Sequence, residues 1–328
     1  MSEAAPGGAE TEEPAAMFAE EWREWQRERW ELVSAPLGQA ALALTFWLTD
    51  EPRAVPGLTG LWRAEGGSIV GTGLGEGEYR RPDGEPVIGE PVISESGIGE
   101  SGIGESGIGE IATSEAGAGE PGAGEAVIGE PGTERTARGP AIGDGPRASA
   151  ELRSGERAIR RLERDGKIAL RIFDPAAPGR TGLRGIEAYP PDPAWCLGAR
   201  FDPETAEREI ELFDGYTAHR ITSGSVVFEL DGVERRLTGT LGPDGIAVVF
   251  GDATNGDESY GFRFVAVPPP DADGATTIDF NRAYLPPCSF SDQFVCPLPT
   301  PENRLPVPIR AGERLVRRAS ASRDHVEL

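Results

Sequence analysis

Hydrophobic and polar positions change their period several times along the chain, and each change marks a different kind of segment. Phe18, Trp22, Trp25 and Leu32 recur at helical spacing, with Glu20/Arg23 and Glu24/Arg27 as i,i+3 pairs on the other side. This predicts an amphipathic helix from about Met17 to just before Pro36. Such an aromatic stripe packs on its own domain more often than it serves a partner. The longest apolar run, Leu37 to Leu48, is too short to cross a bilayer and follows an acidic stretch rather than a basic leader.

After Pro146 the period falls to two. Arg157 to Leu162 and Ile168 to Phe173 flank Asp165-Gly166, and Val226 to Leu230 and Glu234 to Leu237 flank Asp231-Gly232. An Asp-Gly pair between alternating runs signals a hairpin, because both turn positions favour a positive φ. Pro243-Asp244-Gly245 leads into a further strand, Ile246 to Phe250. Shorter strands are expected at Ile186 to Tyr189, Trp195 to Phe201, Arg208 to Phe213, Phe262 to Val267 and Thr276 to Phe280. The predicted class is mainly β: an antiparallel sandwich or barrel-like domain carrying the N-terminal amphipathic helix, with no βαβ alternation. Beyond Phe280, prolines alternate with Tyr284, Leu285, Phe290, Phe294, Val295 and Leu298, which predicts a proline-rich C-terminal arm packed on the sheet.

One stretch follows neither period. From Glu85 to Glu130 a glutamate recurs at every fifth residue, and Gly or Ser closes each pentad. Coils of a pentad solenoid would bury little here, so residues 85–133 are read as a low-complexity insertion outside the fold. Residues 1–16 read as a disordered acidic tail and 17–84 as the helix and first strands. Residues 134–315 form the main β domain with its arm, and 316–328 a flexible tail.

Composition sharpens this division. Against 32 Lys plus Arg stand 55 Asp plus Glu, a formal charge of −23. Four tail and ten pentad glutamates hold 14 of those charges, with no basic residue among them, so the remaining chain carries only −9. It is still net negative, which argues against nucleic acid and anionic membranes as partners. Lys167 is the sole lysine, as codon bias or a salt-loving host would produce. His219 and His325 alone cannot build a multi-histidine metal site, and Cys196, Cys288 and Cys296 are too few for a disulfide framework. The default compartment is the cytoplasm. No cofactor is called for, and the oligomeric state is open.

Two polar clusters are candidates for chemistry. The first is Asp252, Thr254, Asn255, Glu258, Tyr260 and Arg263, on a turn before the strand at Phe262. Asp252 to Gly256 suits a self-capping turn. Tyr260 and Arg263 could hold the carboxylate or phosphate of a small anionic molecule, or Arg263 could form a structural pair with Asp252. The second cluster is Asp279, Asn281 and Arg282 at a strand end, where alternation puts Asp279 and Asn281 on one face and Phe280 on the other. They line a site if that face is a barrel mouth; otherwise they tie down the arm. Asp252, Glu258 and Asp279 are the candidates for carboxylate acid/base work of a hydrolase kind. Cys288 and Cys296 are close enough to meet, as buried thiols, as a disulfide or, with further ligands, at a metal.

The stretch Asp279 to Phe290 (DFNRAYLPPCSF), then Cys296 to Pro299 (CPLP), Pro301 to Val307 (PENRLPV) and Ala311-Gly312-Glu313 resemble the C-terminal signature of the domain of unknown function 1684 family, which includes haloarchaeal members. Phe173-Asp174-Pro175, Asp192 to Trp195, Ala199 to Phe201 and Asp252 to Gly256 with Tyr260 and Arg263 resemble its internal motifs in the same order. The pentads depart from that pattern, as do Cys196 after Trp195 and Ser259 before Tyr260. The family has no established function, so the resemblance implies no reaction. Three readings stand: a domain binding a small anion, a structural or protein-interaction module, and a carboxylate hydrolase.

Overall fold

The computed structural model describes residues 12–75, 77–82, 84–86, 92–93 and 151–319. The chain opens with helix α1 (Glu12–Ser34), followed by β1 (Leu42–Trp47), the hairpin β2 (Leu61–Glu65) and β3 (Ser68–Thr72), and β4 (Val92–Ile93). Next come β5 (Glu151–Ser154), β6 (Arg157–Arg164), β7 (Lys167–Phe173), one helical turn α2 (Pro178–Thr181) and β8 (Leu183–Ala188). The largest sheet takes β9 (Cys196–Glu211), β10 (Thr217–Leu230), β11 (Val233–Gly242), β12 (Gly245–Phe250), β13 (Arg263–Val267) and β14 (Ala275–Asp279); β15 (Glu313–Arg318) is the last element among the described residues. The fold is mainly antiparallel β, as the alternation predicts.

Local chemistry accounts for the principal hairpins. Asp165 and Gly166 have φ of 48° and 73°, and Asp231 and Gly232 of 54° and 71°, so each pair makes a two-residue turn with both residues left-handed. Arg164 then faces Lys167, and Leu230 faces Val233. The six-stranded sheet, in the order β13-β12-β11-β10-β9-β14, curls into a half-barrel. Its concave face is filled by Phe201, Val226, Phe228, Leu237, Ile246, Val248, Phe250, Val265 and Ile278. Phe280 closes this core, meeting Phe228, Phe250 and Trp195 edge to face at centroid distances of 5.6, 5.5 and 6.3 Å. A second sheet, β1-β7-β6-β5, packs with β2-β3-β4 around Trp62, Ile159 and Leu170.

The structure redraws several expected boundaries. Trp195 to Phe201 and Arg208 to Phe213 were expected as separate strands, yet β9 runs unbroken from Cys196 to Glu211, through Pro203. A proline is tolerated there because β14 pairs with β9 from Cys196 to Arg200, the Phe201 N–H donates to the Gly274 carbonyl, and beyond that β9 is an edge among the described residues, so a missing N–H leaves no ladder bond unmade. Helix α1 starts at Glu12, inside the stretch expected as tail, and β15 runs to Arg318. Val92 and Ile93, inside the expected insertion, pair with Val70 and Ile69 as β4, and Ile93 is buried in the core beside Trp62. Residues 87–91 and 94–150, which hold the rest of the pentads, lie outside the described residues, as do the N-terminal stretch 1–11 and residues 320–328 of the expected C-terminal tail. No helix among the described residues is long and apolar enough to cross a membrane.

The aromatic face of α1 packs inward. Trp25 is buried against Phe262, Phe264 and Tyr284, and the Trp22 indole N–H donates to the Asn281 carbonyl at 3.1 Å. Arg29 is buried too. Its Nε and Nη2 donate to the two carboxylate oxygens of Glu313 at 2.9 and 3.1 Å, its guanidinium lies 4.8 Å from the Tyr284 ring centre, and Glu313 also accepts from the Leu285 N–H at 2.8 Å. Removing one member of such a pair strands the other in a dry interior. Glu313→Ala is therefore expected to lower the unfolding free energy by about 3–5 kcal/mol in urea denaturation. The double substitution Arg29→Met with Glu313→Leu should cost less than that single change. A double variant weaker than the single one would show that the pair is not coupled in this way.

Candidate functional site

The first polar cluster folds because Asp252 follows the end of β12 and turns the chain back on itself. Its Oδ1 accepts from the Thr254 N–H at 2.9 Å, the Thr254 hydroxyl at 2.6 Å and the Ile309 N–H at 3.2 Å. The Thr254 and Ser259 hydroxyls share a hydrogen bond of 2.7 Å, and the Asn255 amide donates to the Tyr260 carbonyl at 2.8 Å. This is the self-capping turn its sequence suggests. Ser259, the residue that departs from the family pattern, keeps a hydroxyl inside the network.

Arg263 begins β13 and its side chain is wholly buried. Its Nη2 donates to Asp252 Oδ2 and to the Ile309 carbonyl, both at 2.7 Å. Its Nη1 donates to the carbonyls of Ala311 at 2.5 Å and Glu313 at 3.3 Å. The structural Arg263–Asp252 pair offered as one reading of the sequence is thus present, and both terminal nitrogens of the fork are engaged within the chain. Glu258 lies apart from this network at the surface, bound through both oxygens by Arg310 at 2.6 and 2.8 Å and approached by the Tyr189 hydroxyl at 3.3 Å. The Arg310 guanidinium holds the Glu258 carboxyl below its ordinary range. The Tyr260 hydroxyl does not join Arg263; it donates to Cys288 Sγ at 3.7 Å, and burial pushes its ionisation upward.

The second cluster is built by a cap rather than by pleat alternation. Strand β14 ends at Asp279, whose Oδ1 accepts from the N–H of Asn281 at 3.0 Å at the start of a 3-10 turn, Phe280–Arg282. Asp279 and Asn281 are together for that reason, and not because they share a face of the sheet. The Asn281 amide donates to Asp279 Oδ1 and to the Asp192 carbonyl, both at 2.9 Å, and its Oδ1 accepts from the Asp192 N–H at 2.9 Å. Arg282 is partly exposed, 3.5 Å from Asp279 and 3.9 Å from Glu21 of α1. Burial raises the Asp279 carboxyl, with the Asn281 hydrogen bonds and Arg282 opposing it.

Other anchoring residues escaped the sequence reading. Asn303 receives the Thr238 N–H and donates to the carbonyls of Thr238 and Val249, each at 2.8 Å, stitching the arm across β11 and β12. Glu313 and Asp192 act similarly. Asn303 and Glu313 stand in the PENRLPV and AGE motifs, which was the available signal. A cleft beside this stitch, lined by Arg208, Thr222, Thr240, Pro297, Thr300 and Asn303, has a volume of about 30 Å³, room for water rather than for a metabolite.

Comparison with known proteins agrees with the family resemblance. The family described as protein of unknown function (DUF1684) matches residues 181–314. An uncharacterised protein from gene locus rrnAC0354 of Haloarcula marismortui, solved in solution, is 32% identical; the match covers 43% of this chain and 79% of that one, with a TM-score of 0.34. The chain belongs to the DUF1684 family. Sequence identity carries the assignment, since a superposition of that score carries none. No curated protein matches the chain. The DUF1684 match takes in β8 to β14, both polar clusters, Cys288, Cys296 and Glu313, and leaves α1 and β1 to β7 outside it.

Asp279 gives the site a pH signature. With its carboxyl raised in the folded state, the native protein binds more protons than the unfolded chain between the ordinary aspartate range, about 4, and the raised value. Its contribution is fully present below that range and is lost as pH rises through the raised value. Thermal unfolding of wild type and Asp279→Asn across pH 4 to 8 should show wild type gaining relative to the variant on acidification. A difference that stays constant, or grows toward high pH, would contradict the assignment.

Proposed function

We propose that this DUF1684 protein is a structural or protein-interaction module rather than an enzyme or a small-anion receptor. One observation carries this reading: the groups best suited to hold an anion are already bonded within the chain, to the arm and to the turns beside it. The terminal nitrogens of Arg263 serve Asp252 and three arm carbonyls, and the Asn281 amide serves Asp192 and Asp279. An incoming carboxylate would have to displace bonds already made in a dry site, at the cost of leaving backbone carbonyls unpaired. Glu258 is tied to Arg310 at the surface, which suits it poorly as a proton donor.

The surface such a module would offer is the far half of the β9–β10 hairpin. Among the described residues, no strand pairs with the outer edge of β9 between Phe201, whose N–H donates to the Gly274 carbonyl at 2.8 Å, and Glu211, whose carbonyl accepts from the Leu298 N–H of the arm at 2.8 Å; Ile221 and Phe213 are exposed nearby. An open strand edge can accept a partner strand, and Glu204, Glu207 and Glu209 along it would favour a basic one.

The anchor reading and the ligand reading separate by substitution. Arg263→Ala should cost about 3–5 kcal/mol or prevent folding, since it strands Asp252 and three carbonyls. Arg263→Lys should not restore stability, because one ammonium cannot span the same fork. Tyr260→Phe should change the melting temperature little. The proposal fails if Arg263→Ala melts as wild type does while losing a thermal shift that inorganic phosphate or acetate gives the wild-type protein.

A further inference from the structure

Cys288 and Cys296 belong to neither polar cluster, yet the fold places them together. Cys288 sits in a 3-10 turn, Pro287–Ser289, and its backbone N–H donates to Cys296 Sγ at 3.3 Å. Both thiols are free and buried, Cys296 completely. The segment between them is pinned to β1: the Ser291 hydroxyl donates to the Leu42 carbonyl at 2.7 Å, the Thr45 hydroxyl to the Gln293 carbonyl at 2.8 Å, and the Thr45 N–H to Gln293 Oε1 at 3.0 Å. Beyond Cys296, its own carbonyl accepts from the Phe213 N–H at 2.8 Å, which fixes the arm to the end of β9. Two sulfurs are therefore held close at the point where the arm turns from one sheet to the other.

We propose that Cys288 and Cys296 form a thiol–disulfide pair that locks the arm when the protein folds in an oxidising environment. The surroundings suit the oxidised form. The pair shares its cluster with Phe262, Phe264, Tyr284 and Phe294, and an uncharged disulfide fits such a lining where a thiolate does not. Burial also raises the Cys296 thiol, so little thiolate forms in the native state and exchange there is slow. The bridge accordingly closes while the arm is docking. One cysteine thiolate attacks a low-molecular-weight disulfide, RSSR, releasing one RSH after proton transfer; the second displaces the remaining RS group as a second RSH. Two electrons pass from the cysteine pair to RSSR, and the two cysteine protons end on the released thiols. Closing this short loop restricts the unfolded chain.

The test uses the full-length chain carrying Cys196→Ser, because Cys196 is exposed on β9 and would form bridges of its own. The protein is refolded from denaturant with oxidised and reduced glutathione, and in parallel with reductant alone. Each sample is then denatured, alkylated and weighed intact. The oxidised sample should be lighter by two hydrogens and take no alkyl group, and its melting temperature should exceed that of the reduced sample by about 5 °C or more. Cys288→Ala in the same background should abolish both differences. Alkylation of both cysteines in the oxidised sample, a glutathione adduct on either, or a bridge without a rise in melting temperature would overturn the proposal.

Discussion

The fold depends on one buried cation. A sheet that curls to a half-barrel still needs its open side covered, and here the cover is an irregular, proline-rich segment with few regular backbone partners. Prolines remove donors and interrupt ladders, so the arm arrives with carbonyls that water can no longer serve. Arg263 answers this. Its fork reaches Asp252 and the carbonyls of Ile309, Ala311 and Glu313, so one charge neutralises a carboxylate and satisfies three acceptors. A lysine has no planar fork to do this, and an apolar residue would leave the carbonyls bare.

The same logic extends to the N-terminus. Glu313 gives its carbonyl to Arg263 and its carboxylate to Arg29, so α1 and β13 are joined through one arm residue. Trp22 adds a bond to the Asn281 carbonyl, and Asn281 in turn clamps Asp192. Breaking the network at any member leaves buried polar groups on elements far apart in the chain, which couples the helix, the half-barrel and the arm into one cooperative unit.

What could be read from the sequence follows the range of the interaction. The Asp-Gly hairpins were legible because the constraint, positive φ at two adjacent residues, lies within the turn itself. The Arg263–Asp252 pair was legible as an alternative because both residues stand in one short motif. The Arg29–Glu313 pair was not, since no local pattern links residues at opposite ends of the chain. The unbroken β9 was hidden for another reason: Pro203 reads locally as a break, and only the neighbouring strand order shows that its missing N–H faces an edge left open among the described residues. Ile93 was missed because it sits inside a repeat whose composition argues against burial, while its pairing with Ile69 depends on β3.

Arginine use gives the lysine-poor composition a structural content beyond codon bias or salt adaptation. Arg160 lies 4.3 Å from the Phe173 ring centre, Arg164 stands between Trp47 and Tyr216 at 4.3 and 4.2 Å, and Arg171 lies 5.1 Å from Phe294. All three stack a flat cation on an aromatic face while being largely withdrawn from water, a role that suits guanidinium far better than the strongly hydrated ammonium. Arg160 does this within the second sheet, while Arg164 and Arg171, with Arg29 and Arg263, sit where elements meet: helix to arm, arm to half-barrel, and the second sheet to both. The interior therefore demands arginine at these positions whatever genome or solvent selected the surface, and the composition is in part a record of how the arm is held.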